Sequence, residues 1–189
     1  MAVLFVVAGC SVCASTVGAI SFEARDFGAL VAEADQIAIG TATKSTSRRT
    51  GAREIVTDYD FTELEIIKGS VSTGSLTLSM LGGTVGRESL IVAGAPTFRR
   101  GVRYLIFIAG NGSLMFPLVG GHQGIFEIRK DAASGALRVH DYAGRAVTRI
   151  SARAATISLE HLGENPADAI SEAAFVAAIR ATLGEGLAQ

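Results

Sequence analysis

Three histidines are the side chains of this sequence that are most able to bind a metal ion or to move a proton. His122, His140 and His161 are about twenty residues apart, and none belongs to an H-x-x-x-H or H-E-x-x-H motif. Zinc sites usually draw their ligands at tight helical or turn spacing. The spacing therefore predicts no metal site. His122 follows Gly120 and Gly121 in a predicted loop, where it is a candidate ligand or catalytic base or, alternatively, an ordinary surface or turn residue.

Acidic residues recur along one stretch of the chain. Asp58, Asp60 and Thr62 alternate on one face of a predicted strand, and Glu63 and Glu65 follow. Carboxylate oxygens at this spacing suit a calcium ion, but a solvated strand face has the same pattern, and we favour that interpretation. No serine lies in a G-x-S-x-G motif, and no cysteine follows residue 13. The sequence thus indicates no catalytic residues and no cofactor.

Residues 82–96 are the most irregular part of the chain. Gly82, Gly83 and Gly86 come after a predicted strand, but a phosphate-binding loop also needs a helix directly behind its glycines. The run RESLIV at residues 87–92 predicts a short strand instead. We therefore expect a wide loop whose apolar residues contact a partner, unless Leu90 and Val92 pack back onto the domain. The candidate binding residues are Val85, Arg87, Leu90, Ile91 and His122.

Composition narrows the class of protein. A chain of 189 residues with 49% hydrophobic residues is expected to form one main domain with an ample core. The net charge is −1, from 17 basic and 18 acidic residues, and there is no tryptophan. This balance lacks the basic surface of a nucleic-acid-binding protein, so we expect no nucleic-acid partner.

Residues 1–19 are predicted to be a signal peptide or lipoprotein leader. They carry no charge, and an apolar run is followed by small residues ending at Ala19, which is typical of an export signal. The run VAGC at residues 7–10 is similar to a lipobox, and lipidation of Cys10 is one alternative. An uncleaved anchor or a buried helix is another. We expect an exported protein, periplasmic, envelope-associated or secreted, that meets the membrane only through the leader or a lipid anchor.

A long strand over residues 55–67 organises the rest of the chain. Tyr59 and Phe61 share one phase of a period-two pattern and Leu64 and Ile66 the other, which predicts a β-bulge between Phe61 and Leu64. Shorter strand patterns surround it, and no βαβ repeat occurs. We therefore predict a mainly β domain at residues 22–150: an antiparallel barrel of the oligonucleotide/oligosaccharide-binding (OB) type.

Helices are predicted on both sides of this barrel. Asp26 is a candidate N-cap for a short helix within residues 22–35. Residues 151–189 are an Ala-rich segment in which Ser171 is a candidate N-cap for a terminal helix, and the apolar face of that helix is Phe175, Ile179 and Leu183. Between the helices we expect a loop at residues 44–53, a hairpin at Asn111 and Gly112 that returns into a strand at 114–119, and a last hairpin ending at residues 136–141.

Three short motifs carry a family resemblance. ADQIAIGTA at residues 34–42, EIIKG at 65–69 and GVRYLIF at 101–107 look like exported bacterial proteins of unknown function. Their order also resembles the netrin-like module of tissue inhibitors of metalloproteinases, which implies an OB-type barrel across residues 34–110. In that family an N-terminal Cys-x-Cys chelates the protease zinc. Here Cys10 and Cys13 are spaced C-x-x-C within the leader, so the inhibitory residues do not carry over.

These observations together predict a non-catalytic binding module. We expect it to act in the envelope or the secreted fraction and to bind another exported protein through residues 82–96. The alternative is a metal-dependent enzyme or sensor centred on His122.

Overall fold

The protein is mainly β, with one helix near each end. The computed structural model describes residues 23–71, 74–153, 156–161 and 166–186. The helices are α1 (Phe27–Glu33) and α2 (Glu172–Gly186), and short 3₁₀ turns lie at Gly121–Gly124 and Pro166–Asp168. The strands are β1 (Gln36–Arg49), β2 (Ile55–Lys68), β3 (Leu76–Leu81), β4 (Gly83–Val85), β5 (Glu88–Leu90), β6 (Arg103–Ile108), β7 (Ile125–Lys130), β8 (Leu137–Asp141), β9 (Arg149–Arg153) and β10 (Thr156–Glu160). The predicted mainly β class with two flanking helices is confirmed.

Six strands form one antiparallel sheet in the order β3-β2-β1-β6-β7-β8. The central position of β6 agrees with its sequence, which is apolar on both faces. Among the described strands, β3 and β8 are the two ends of the order, and no strand pairing joins them into a closed barrel. The smaller sheets are the hairpins β4–β5 and β9–β10.

A bulge bends the long strand β2 where the sequence predicts one. Ile39 pairs with Glu65, whereas Thr41 pairs with Thr62, so β2 carries one residue more than β1 in this interval. Glu63 has a φ of 54°, in the left-handed region. An extra residue of this kind increases the local twist and re-aims the side chains that follow. The change of phase between Phe61 and Leu64 therefore has a backbone cause.

The sheet has a hydrophobic core on each of its faces. Successive β6 residues alternate between them: Leu105 and Phe107 join the core under the helices, and Tyr104 and Ile106 join the opposite core. Helices α1 and α2 cover the first face, where Phe175 packs against Phe27 with ring centroids 5.3 Å apart. The second core is built around Phe61 and Phe98.

The N-cap of α1 provides a test of this packing. Asp26 Oδ1 accepts a hydrogen bond from the Ala29 amide at 2.7 Å, as predicted, and the seven-residue helix buries Phe27, Leu30 and Val31. We expect Asp26→Ala to lower the free energy of unfolding by about 0.5–2 kcal/mol, because one orphan amide loses its acceptor. Urea denaturation measures the change. Asp26→Asn keeps an acceptor oxygen, and an equal loss in both variants would contradict the capping role.

Residues 44–49, predicted as part of a loop, continue strand β1. Ser45 pairs with Tyr59 and Thr46 with Asp58, and Arg48 donates to Asp58 at 2.6 Å. The predicted loop at residues 44–53 is therefore wrong for its first six residues. Residues 44–49 are polar because this end of β1 extends past the core and is exposed. Its stability therefore comes from cross-strand pairs rather than from burial.

The hairpin predicted at Asn111 and Gly112 is present only in part, because residues 114–116 do not form the expected return strand. The chain turns there but crosses to the edge of the sheet at β3, where Leu81 N donates to Met115 O at 2.9 Å and Asn111 Nδ2 donates to Thr77 O at 2.9 Å. Residues 117–119 then return antiparallel to the end of β6: Ile108 and Leu118 form a bridge, Ala109 N donates to Pro117 O at 3.3 Å, and Val119 N donates to Phe107 O at 3.0 Å. The Asn-Gly pair thus predicted the turn and the return, but it carried no information on the contact with β3.

The hairpin β9–β10 was not predicted, because its residues fall in the compositionally Ala-rich segment. Its strands pair from Arg149 with Glu160 to Arg153 with Thr156. Leu159 packs against the core under the helices. Beyond it, Ser171 caps α2 as predicted, accepting from the Ala174 amide at 3.2 Å.

Candidate functional site

The hairpin β4–β5 is fixed to the main sheet. Gly82 N donates to Ile55 O at 2.7 Å, and Thr57 Oγ1 donates to Gly82 O at 2.7 Å. Thr84 N donates to Ser47 Oγ at 3.3 Å, and Glu88 forms an ion pair with Arg49. The expected wide loop is thus partly a docked hairpin, and the predicted short strand at residues 87–92 is present as β5.

The predicted binding residues of this segment differ in exposure. Ile91 is 88% exposed, and Arg87 is exposed at the turn between β4 and β5. Val85 and Leu90 are half-buried. A shallow groove of about 250 Å³ lies between the segment and the sheet. Its lining includes Tyr59, Met80, Leu81, Leu90, Ile91, Val92 and Pro96.

Two more exposed apolar residues lie in the segment that is hydrogen-bonded to Leu81. Leu114 is 55% exposed and Met115 62% exposed. Met115 is held beside the groove because its carbonyl accepts from Leu81 N, and Leu81 lines the groove. We call Ile91, Leu114, Met115 and the adjoining groove the hairpin surface. Large exposed apolar side chains that are close together are typical of contact sites.

His122 lies on another concave surface, a groove of about 790 Å³, which we call the histidine groove. Five parts of the fold form it: the start of α1, the 3₁₀ turn Gly121–Gly124, β7, the turn after β8, and the end of β10. The lining residues are Ala24, Arg25, Asp26, Phe27, Leu30, His122, Gln123, Phe126, Asp141, Tyr142, Ala143, Arg145, Leu159 and His161. The fold therefore brings together two histidines that are far apart in the sequence.

The polar groups of the histidine groove contact one another. The rings of His122 and Tyr142 have centroids 4.4 Å apart at an interplanar angle of 39°. His161 Nε2 lies 3.2 Å from Asp141 Oδ2, which also accepts from Arg145 Nε at 2.7 Å. Burial lowers the pKa of His122, so its imidazole is neutral at pH 7.

Sequence reasoning named His122 and His161 separately, but it did not place them together and it missed Asp141 and Tyr142. Tyr142, Asp141 and His161 come from the turn after β8 and from the end of an unpredicted hairpin. No local spacing relates them to His122, so only the tertiary fold could have identified the cluster. Tyr142 also connects the histidine groove to the hairpin surface. Its hydroxyl accepts a hydrogen bond from the Thr97 amide at 3.0 Å, and Thr97 lines the groove of the hairpin surface.

His140 is separate from the histidine groove. It is 2% exposed on β8, opposite Glu127 of β7. Among the described residues, neither ring nitrogen has a partner with good hydrogen-bond geometry. Burial, and then the charge of Arg129, lower the pKa of His140. Glu127 accepts from Arg99 and Arg129 at 2.8 and 2.7 Å, and these contacts outweigh the effect of burial and lower its pKa.

The burial of His140 predicts a pH-dependent stability. Its folded pKa lies below its unfolded pKa of about 6.5, so the unfolded chain binds more protons. Stability is fully present above about pH 6.5 and is lost as the pH falls towards the lower folded pKa. We expect the unfolding free energy of the wild type to decline over this window, as measured by urea denaturation.

A His140→Leu variant separates this effect from other titrations. The variant keeps His122, so the contribution of that histidine cancels in the difference between the two profiles, whereas Glu127 faces His140 and the difference includes their mutual interaction. We expect the wild-type decline to be the steeper one. Parallel profiles below about pH 6.5 would show that His140 does not carry the effect.

The acidic side chains of β2 contact residues of the neighbouring strands. Asp58 pairs with Arg48, and Asp60 Oδ1 accepts from Thr77 Oγ1 at 2.7 Å. The hydrogen bond from Arg48 is the largest cause of the lowered pKa of Asp58. In the described ranges, no three His, Cys, Asp or Glu residues are grouped so that they could hold a metal ion.

Cys10 and the rest of the predicted leader at residues 1–19 lie outside the described residues. In the part of the chain that is described, no helix has both the length and the apolar character needed to span a membrane.

Comparison with known proteins identifies no family. The chain matches no protein-family model, no curated protein and no solved structure. The likeness to netrin-like modules therefore rests on the three short motifs alone.

Proposed function

We propose that this protein is a non-catalytic binding module that contacts another protein through the hairpin surface. The observation that carries the proposal is Ile91, which is 88% exposed beside an apolar groove. A single exposed isoleucine is common in a folded protein. Here Leu114 and Met115 are also exposed, in a segment hydrogen-bonded to Leu81 of the groove, and such a concentration of exposed apolar residues supports a contact site.

The anchoring of the hairpin supports this role. Gly82, Thr57 and Ser47 form hydrogen bonds that hold β4 against the sheet. A segment held in this way keeps its shape before the partner arrives, so binding orders few additional side chains. A mobile loop of the same composition would lose more conformational entropy on binding.

Arg87 indicates the chemistry of the partner. It is exposed at the tip of the hairpin, and among the described residues it forms no ion pair. Arginine and large apolar residues are frequent at the energetic centres of interfaces. We infer a partner that presents an apolar side chain to the groove and a carboxylate to Arg87.

The uncharged leader at residues 1–19 favours export. We propose that the partner is another protein of the envelope or the secreted fraction. Intact-mass measurement of the native protein would show loss of the leader or a lipid on Cys10, and a full-length, unmodified chain would contradict export.

A photo-crosslinking experiment tests the binding surface. A benzophenone amino acid replaces Ile91 in one variant and Leu137 in another, and both are irradiated in the native host. Leu137 is a matched control because it is 39% exposed and lies on β8, at the opposite end of the strand order from β3. We expect a discrete heterologous adduct from position 91 and none from position 137.

The adduct must then be reproduced with purified components. The partner, identified by mass spectrometry, should bind the wild type and should lose about 30-fold in affinity with Ile91→Asp, the effect of removing one central interface residue. Equal adducts from both positions, unchanged affinity of Ile91→Asp, or an adduct between two copies of this chain would each contradict the proposal.

A further inference from the structure

We propose that the histidine groove is a second binding site, for an uncharged aromatic or heteroaromatic small molecule. The site is distinct from the hairpin surface and does not depend on the proposed protein partner. Its volume of about 790 Å³ falls within the range of small-molecule sites, which is roughly 300–1,000 Å³.

The lining of the groove is rich in rings. His122, Tyr142, His161, Phe27 and Phe126 all border it. The His122 and Tyr142 rings, in contact at a tilt of 39°, form one wall, and the Thr97 amide holds Tyr142 in place. Aromatic groups pack against such walls in offset or edge-to-face arrangements, which add to the gain from burial alone. This wall favours a planar, aromatic occupant.

The charges of the groove are compensated within the protein. Arg25 pairs with Glu23 and Glu33. Arg145 pairs with Asp141. Asp26 accepts from the first turn of α1. An ionic ligand would have to compete with these existing pairs and would lose its own hydration. An uncharged ligand avoids both costs.

His161 and Asp141 supply a polar edge for such a ligand. His161 Nε2 lies 3.2 Å from Asp141 Oδ2, and both residues border the groove. A ring that carries one N–H or carbonyl group could form a hydrogen bond to this edge while its faces pack against Tyr142 and Leu159. A few polar groups around an apolar body are the usual composition of small-ligand sites.

Titration of the full chain with indole tests the inference. Indole is uncharged, planar and carries one N–H donor. The chain has 3 His and 3 Tyr, so the ring signals of His122 and Tyr142 can be assigned by substitution in NMR spectra. We expect both signals to shift together, with a dissociation constant of about 1 mM or tighter. Indole-3-acetate and tryptamine, which carry opposite charges, should bind more weakly.

Two variants of Tyr142 separate a binding role from a structural one. Tyr142→Phe keeps the ring but loses the hydrogen bond from the Thr97 amide, so it should weaken indole binding only slightly, whereas Tyr142→Ala should weaken binding about tenfold. Circular dichroism reports whether each variant is folded. If Tyr142→Ala is not folded, the titration of the wild type alone decides the proposal. Absence of shifts at His122 and Tyr142, or tighter binding of either charged analogue, would overturn the proposal.

Discussion

Replacement of Phe61 by alanine is expected to lower the free energy of unfolding by about 3–5 kcal/mol. The Phe61 side chain is fully buried, and its ring lies edge-on to Phe98 with centroids 5.0 Å apart. Phe98 in turn packs edge-on against Tyr59 and Tyr104. Loss of the ring removes its transfer free energy and leaves a cavity among groups that the sheet backbone holds in place.

Urea denaturation of the wild type and the variant measures this change. Ile106→Ala should cost about 2–5 kcal/mol, since Ile106 is 1% exposed in the same core. Leu114→Ala is the matched control, because Leu114 is 55% exposed and its truncation should change stability by less than about 0.5 kcal/mol. A Phe61→Ala midpoint equal to that of the control would mean that β2 does not organise the core.

The parts of the fold that could be predicted are those with local causes. The phase change between Phe61 and Leu64 indicated the bulge, because the side-chain period of a strand is fixed by its backbone. Asp26 and Ser171 were predicted as caps, because a short side-chain oxygen satisfies the nearby orphan amides. Each inference needed only residues within one turn or one strand.

The parts that could not be predicted depend on long-range pairing. Residues 44–49 are polar and became a strand only because β2 offers them partners such as Asp58. Asn111 signalled a turn, but the edge of β3 decided where the chain went next. The histidine groove joins groups from five parts of the fold, so the spacing of His122 and His161 contained no sign of it.

The two candidate surfaces share one anchoring contact. The Tyr142 hydroxyl accepts from the Thr97 amide, and Thr97 follows the hairpin segment. The Tyr142 ring also packs with the core that contains Phe61 and Phe98. The core, the hairpin segment and the wall of the histidine groove are therefore positioned by contiguous contacts rather than by separate units.

Replacement of Gly83 by alanine is expected to detach the hairpin β4–β5 and to abolish capture of the proposed partner. Gly83 has a φ of 137°, a backbone region that residues with a Cβ rarely adopt. A Cβ at this position would overlap the hydroxyl oxygens of Thr57 and Ser47, which hold the hairpin against the sheet. Backbone strain alone costs about 1–3 kcal/mol, and the overlap adds to it.

Gly86→Ala is the control for this prediction. Gly86 lies in the same hairpin with a φ of 61°, but beyond its chain neighbours no heavy atom lies within 4 Å of the position that an added Cβ would take. Alanine there brings a backbone cost of about 1 kcal/mol without a clash. Hydrogen exchange at the Thr84 amide, which donates to Ser47, should accelerate in Gly83→Ala much more than in Gly86→Ala. Crosslinking from position 91 should also fall much more in Gly83→Ala than in Gly86→Ala. Rapid exchange with undiminished capture would show that the partner binds Ile91 without needing the hairpin to be docked.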